Sequence, residues 1–240
     1  MECVRIREKR KKGKIKKLVS DGKVELLMMQ ETKTKSMNDY FVRSLWPSEN
    51  FEFMLVDSDG SAEGLICVWN PEVFQLKDCC STRNFILLSG VFHQSFECVV
   101  VNLYAPNEVI RRKQLWDLII NIRPLFNIPW CIGDDFNVIQ RISERRGCIR
   151  TDREMNDFNK FIDRMEFLDM PMLGRNFTWF NSFEGDRWSR IDRFLVNFIW
   201  REKFRLKLWG LLRSISDHCS LLLMEDDRNW GPRPFRFLNA

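Results

Sequence analysis

Histidine is scarce in this chain: among 240 residues there are only His93 and His218. Eight cysteines, at positions 3, 67, 79, 80, 98, 131, 148 and 219, form no CxxC pair. No zinc constellation can therefore be assembled at ligand spacing. Most of these thiols sit in apolar runs and read as reduced, buried side chains of an intracellular protein. No apolar run approaches the roughly 18 residues that mark a membrane helix. The start, "MECVRIREKRKKGKIKK", has no apolar centre, so no signal peptide is expected. Internal repeats and low-complexity segments are absent as well.

What is present is a length and an aromatic content that suit one large domain. The 20 Phe and nine Trp in a chain that is 45% hydrophobic fit a packed sheet interior. A net charge of +5 is compatible with a polyanionic partner without identifying one. The basic stretch Arg7–Ser20 carries Ile15, Leu18 and Val19 at helical spacing, which favours a charged helix face over a nuclear-import patch.

Short strand-like runs follow, separated by Gly, Ser, Asp and Asn turns: "VELLMMQ", "FEFMLVDS", "GLICVWN", "FILLSGVF", "FECVVVNLY" and "PWCIGDD". "EVIRRKQLWDLIINIRPLF" reads as an amphipathic helix on apolar positions 109, 110, 115, 118, 119 and 122. "TDREMNDFNKFIDRMEFLDM" reads as a second helix, with Thr151 as N-cap and Glu154 completing a capping box. "NFTWFN", "RWSRIDRFLVN" and "LLRSISDHCSLLLME" read as late strands or strand ends, with His93 inside a strand. Uneven alternation of strands and helices predicts a layered α/β domain with antiparallel sheet. It is expected to span 1–225, followed by a tail or linker at 226–240.

Polar residues gather where these strands end: Gln30 and Glu31, Tyr104 with Asn107, Asp135 with Asn137, Arg190 to Asp192, and Asp217 with His218. Strand ends brought into one cleft would supply carboxylates, amides, a phenol and an imidazole. That inventory suits phosphodiester hydrolysis with Mg²⁺, a cation that takes one or two carboxylates and keeps several waters. Strand alternation places Asp135 and Asn137 on one face. Asp134 falls on the other, among Trp130, Ile132 and Phe136, where an unpaired carboxylate is costly.

The ordered motifs "LLMMQETK" (26–33), "EGLICVWN" (63–70), "VVNLYAPN" (100–107), "WCIGDDFNVI" (130–139), "NFTWFN…SRIDRFLV" (176–196) and "SISDHCSLLL" (214–223) resemble the endonuclease/exonuclease/phosphatase family. The endonuclease domain of plant LINE-type retrotransposons is the nearest likeness, and "GPRPFRFLNA" is similar to the stretch between that domain and a reverse transcriptase. The resemblance implies a four-layer, DNase I-like α/β sandwich with two stacked, mainly antiparallel sheets flanked by helices. It implies Mg²⁺, with Mn²⁺ as a substitute, held by Glu31 with Asp217 beside the metal or water. Asp135 would position the attacking water or assist the leaving group, and Asn137 would hold the phosphate. Tyr104 and Asn107 would contact the scissile region, and Lys33 matches a basic position near the metal. Asp192 would orient His218, which acts as base or electrostatic stabiliser.

The implied partner is DNA, with no membrane, no obligate protein partner, a monomeric state and a nuclear location. Two other readings accompany this one: a catalytically impaired retroelement remnant, and a phosphatase acting on a nucleotide or phosphoinositide. Departures from the family pattern bear on them. An Asn-bearing first strand is replaced by "MECVRIREKR", so an inner N-terminal strand is expected to be missing. Glu63 and Asp134 stand where glycines are expected, and Ser220 where a proline is common.

Overall fold

A computed structural model describes residues 2–5, 9–30, 32, 39–56, 64–181, 187–213 and 216–226, with backbone alone for 2–11. Glu31, Lys33, Glu63 and residues 227–240 of the expected tail lie outside the described residues. The first half runs β1 (Glu2–Arg5), α1 (Lys9–Asp21), β2 (Leu26–Gln30), α2 (Asp39–Arg43), β3 (Glu52–Val56), β4 (Leu65–Trp69), β5 (Phe74–Thr82), β6 (Phe85–Phe92) and β7 (Phe96–Tyr104). Next come α3 (Val109–Ile122), β8 (Trp130–Asp135), α4 (Arg153–Arg164), β9 (Phe167–Asp169) and β10 (Met172–Leu173). The chain closes with β11 (Trp179–Asn181), β12 (Arg187–Ser189), β13 (Asp192–Asn197), α5 (Phe198–Lys203), β14 (Leu206–Gly210) and β15 (Leu221–Glu225).

Two sheets stack. One has seven strands in the order β10-β14-β15-β1-β2-β4-β3, the other six in the order β5-β6-β7-β8-β13-β9, and β11-β12 form a separate ribbon. Most pairings are antiparallel; β1 with β2, β7 with β8, and β10 with β14 run parallel. Two-residue alternation sorts the apolar side chains into three layers. Leu26, Met28, Cys67, Trp69, Leu88, Val100 and Phe194 fill the space between the sheets. Leu27, Met29, Ile66 and Val68 face outward under Ile15 and Val19 of α1 and Phe41 and Val42 of α2. Leu87, Val99, Val101, Trp130 and Ile132 face the opposite way, under α3 and α4. The architecture is the four-layer sandwich expected.

Several expectations need correction. The inner N-terminal strand is present: β1 lies mid-sheet, parallel to β2 and antiparallel to β15, and satisfies two edges that would otherwise be unpaired. Its residues include no Asn. The N-cap of α4 is Asp152, whose carboxylate accepts from Met155 N–H at 2.9 Å, rather than Thr151. Glu154 instead pairs with Arg112. The buried face of α3 is Arg112, Leu115, Trp116 and Ile119, while Val109, Ile110 and Leu118 are exposed. His93 belongs to the β6–β7 turn at φ +47°, not to a strand. Strand β5, with its exposed middle, shows no clean alternation in sequence and was unforeseen. Cys79 is exposed, whereas Cys67, Cys98, Cys131 and Cys219 are buried. Asp226, the first residue of the expected tail, is buried and donates its N–H to Arg205 O at 2.9 Å.

Candidate active site

The intersheet core ends in a polar clasp. Asn102 of β7, fully buried, donates through Nδ2 to Met29 O at 3.2 Å and Ile66 O at 3.1 Å, tying one sheet to the other. Gln30 Nε2 answers by donating to Leu103 O. Beyond this clasp β2, β7 and β8 end and β13 begins. The register aligns Tyr104 with Asp135, and Asp135 with Asp192, across three neighbouring strands.

His218 arrives from the loop before β15. It forms an isolated bridge with Trp179, and the following residue, Cys219, donates its N–H to Thr178 O at 2.7 Å. Thr178 fixes the opposite partner too, its hydroxyl accepting from Ile191 and Asp192 N–H at 3.0 Å each. One threonine thus sets the spacing of the pair. His218 Nδ1 lies 2.9 Å from both oxygens of the Asp192 carboxylate. An ionised carboxylate can only accept, so Nδ1 donates, which sets the tautomer of the ring. Both residues are buried, and Asp135 joins them: ligand-capable atoms of the three lie within 4.8 Å of one another.

Asn137 reaches this cluster by a turn, not by strand alternation. The strand ends at Asp135, and Asn137 takes φ +51°. Its N–H donates to Asp135 Oδ1 at 2.8 Å and its Nδ2 to Ala105 O at 2.5 Å. Asn can adopt this backbone at modest cost because its short amide bonds locally.

Asn137 and His218 line a cleft of about 600 Å³, together with Tyr104 and Asn107. The carbonyls of Pro106 and Asn107 accept from Arg112 Nη1 at 2.8 and 3.2 Å, and Arg112 Nη2 donates to Glu154 at 2.5 Å. Arg112 was not foreseen as a support for Asn107; an arginine inside an apolar helix face was the available signal. Arg145, Arg146 and Arg187 bring positive charge to the cleft wall beside Trp179. Asp217, next to His218 in the chain, is exposed, with Oδ2 accepting from Trp179 Nε1 at 3.2 Å.

A second buried network underlies the arginine wall. The Glu144 carboxylate accepts from Gln140 and Arg141 N–H, from Arg190 Nη1 at 3.1 Å and from Arg193 Nη2 at 2.5 Å. Asp169 accepts from Arg190 Nη2 and from Arg193 Nη1, which it shares with Glu144, at 2.8 Å each. Burial pushes the Glu144 carboxyl up, but Arg193, the Gln140 N–H and Arg190 outweigh it and hold it below its ordinary value.

Asp134 behaves oppositely. It is buried, its φ is +104°, and its Oδ2 has no hydrogen-bond partner among the described residues. Burial, reinforced by the charges of Asp192 and Asp135, raises its carboxyl well above the usual range. It is an L residue in a glycine conformation.

The donor set bears on a metal. The Asp135–Asp192–His218 group could hold a divalent ion. Its imidazole is already engaged with Asp192, however, and Mg²⁺ prefers oxygen. Two buried oxygens that flank Glu31 in sequence, Gln30 Oε1 and Thr32 Oγ1, have no partner among the described residues, so the end of β2 is rich in oxygen and fits a hard cation.

Layers, strand order and strand-end site together define a class: the fold is that of the DNase I-like endonuclease/exonuclease/phosphatase proteins. Among solved structures, the endonuclease domain of TRAS1, a telomere-specific non-LTR retrotransposon, matches with TM-score 0.69 and 14% identity over 93% of this chain and 96% of that one. An AP endonuclease from Archaeoglobus fulgidus matches at TM-score 0.72 and 12% identity, over 94% and 98% of the two chains. A mannosyl-6-phosphatase from Bacteroides thetaiotaomicron matches at 0.65 and 15%, over 93% and 98%. Likeness at such identities is one of fold, and that fold carries both nucleases and phosphatases. No family model and no curated protein matches the chain.

Proposed function

We propose that this chain is a Mg²⁺-dependent DNA endonuclease that nicks one strand, the endonuclease domain (1–225, with a connecting tail beyond) of a LINE-type retrotransposon protein. The observation that carries the reading is the buried Asp192–His218 pair beside Asp135, whose His218 lines a cleft that also holds Arg145, Arg146 and Arg187. Arginines suit a phosphate backbone, and a large part of DNA affinity comes from such contacts.

Glu31 and Asp217 would hold Mg²⁺, which supplies Lewis-acid stabilisation of charge developing on the phosphate. His218, with Nδ1–H given to Asp192, presents the other ring nitrogen to accept a proton from the attacking water. Asp135 positions that water, while Asn137, Tyr104 and Asn107 hold the phosphate. Oxygen attacks phosphorus, the P–O3′ bond breaks, and the departing oxygen takes up a proton to give a 3′-hydroxyl and a 5′-phosphate. Mn²⁺ would substitute for Mg²⁺. A DNA substrate implies work in the nucleus, and the reading needs no partner subunit.

The test is nicking of supercoiled plasmid by the purified chain with Mg²⁺, beside an EDTA control and His218→Ala. Loss of the imidazole should lower the rate by about 10²- to 10⁴-fold. Nicking that survives EDTA or the substitution, or none from a folded wild-type chain, would sink the proposal.

One observation favours the second reading, an impaired remnant. Asp134 places a strained, buried carboxyl directly before Asp135. On that reading Asp134→Gly should raise the nicking rate.

A further inference from the structure

The loop that follows Glu144 reads Arg145-Arg146-Gly147-Cys148-Ile149-Arg150. Its first four residues line the cleft. Its base is fixed at several points. Arg145 bridges Ser189 and donates from Nε to Ser189 Oγ at 3.1 Å, and Arg146 N–H donates to Trp188 O at 3.0 Å. The Glu144 carboxylate, locked between Arg190 and Arg193, anchors the chain just before it. Gly147 then turns the backbone at φ +77°, with open space where a Cβ would be. On the far side of that turn Ile149 is 90% exposed, more than any other large apolar side chain among the described residues.

A single exposed isoleucine is ordinary on a protein surface. Two features set this one apart. A rigid base presents it, so little ordering entropy is lost if it binds. Arginines flank it on both sides in the chain, at Arg146 and Arg150, both exposed, and Arg146 also lines the cleft with His218. Cations spaced around a protruding aliphatic group match a nucleic-acid duplex: guanidinium groups meet phosphates while the aliphatic group enters between base pairs.

We propose that Ile149 is a wedge that inserts at a base step from the minor groove and partly unstacks it, with Arg146 and Arg150 on the flanking phosphates. This rests on the DNA endonuclease reading and adds a determinant of where the chain acts. Unstacking costs least at pyrimidine–purine steps, so binding and nicking are expected to favour TA and CA/TG.

The experiment uses short duplexes carrying 2-aminopurine at one step, bound by the full chain in EDTA so that no cleavage intervenes. Wild type should raise the fluorescence at pyrimidine–purine steps. Ile149→Ser, which alters only an exposed side chain, should lose that rise and flatten the step preference by roughly tenfold. Ile149→Leu should keep both. An unchanged rise in Ile149→Ser, or bound DNA with no rise for wild type, overturns the wedge; plasmid nicking with Mg²⁺ then still decides the endonuclease reading separately. Wild type that binds no duplex overturns the wedge as well.

Discussion

Replacing Asp134 by glycine should stabilise the protein, contrary to the usual effect of a core substitution. Three terms set the magnitude. An L residue held in left-handed backbone costs roughly 1–2 kcal/mol, which glycine avoids. A buried carboxyl oxygen without a partner costs about 1–3 kcal/mol. Glycine returns about 0.5–1 kcal/mol through the greater freedom of its unfolded chain. The balance is a gain of about 2 kcal/mol, or roughly 4–8 °C in Tm for a domain of this size. The pH dependence adds a signature. The Asp134 carboxyl is raised above its ordinary 3.8 in the folded protein, so above that pH the unfolded chain releases a proton that the folded one retains. Wild-type stability therefore falls as pH rises from about 4 towards the folded value, by up to about 1.4 kcal/mol per pH unit. The advantage of Asp134→Gly should be smallest near pH 4 and larger at pH 8. Urea titrations of both proteins at the two pH values measure it. A glycine variant no more stable than wild type, or an advantage that does not grow with pH, refutes the reasoning.

Arg112→Ala should cost about 2 kcal/mol in stability, less than the rupture of a fully buried pair because the Glu154 side chain is 35% exposed. It should also weaken DNA binding, read as a raised Kd in fluorescence anisotropy, since the Asn107 carbonyl loses its support; unchanged binding would separate Arg112 from the site. Glu144→Gln should cost about 3 kcal/mol at pH 7. Because the Glu144 carboxyl is held below its ordinary 4.5, its contribution is present above that value and is lost as pH falls through the folded one. The penalty should shrink towards pH 3, and a constant penalty would mean packing rather than charge dominates.

Several parts of the site are legible in the chain because they are local. The runs 26–30, 65–69, 98–104 and 130–135 announce strands by apolar continuity, and their last residues are where polar side chains accumulate. Asp134 is legible as a misfit from its neighbours, and its φ of +104° gives the reason. Other features leave no local trace. Asn137 shares a cluster with Asp135 because a turn folds its N–H back onto that carboxylate. Arg193 reads as an ordinary surface charge, yet it is fully buried because Glu144 and Asp169, from distant segments, enclose it. β1 was unrecognised because four residues carry too little periodicity; what makes them a strand is the vacancy they fill between β2 and β15.

The sequence by itself determined the apolar strands 26–30, 65–69 and 130–135 and the order in which the site residues occur, since these depend on neighbours one to four positions away. Only the tertiary structure decided which ends meet. Thr178 binding both the Asp192 backbone and the His218 loop, Asn102 joining two sheets, and Glu144 anchoring the arginine wall all pair residues far apart in the chain. Such contacts arise because a buried polar group must find a partner wherever packing brings one.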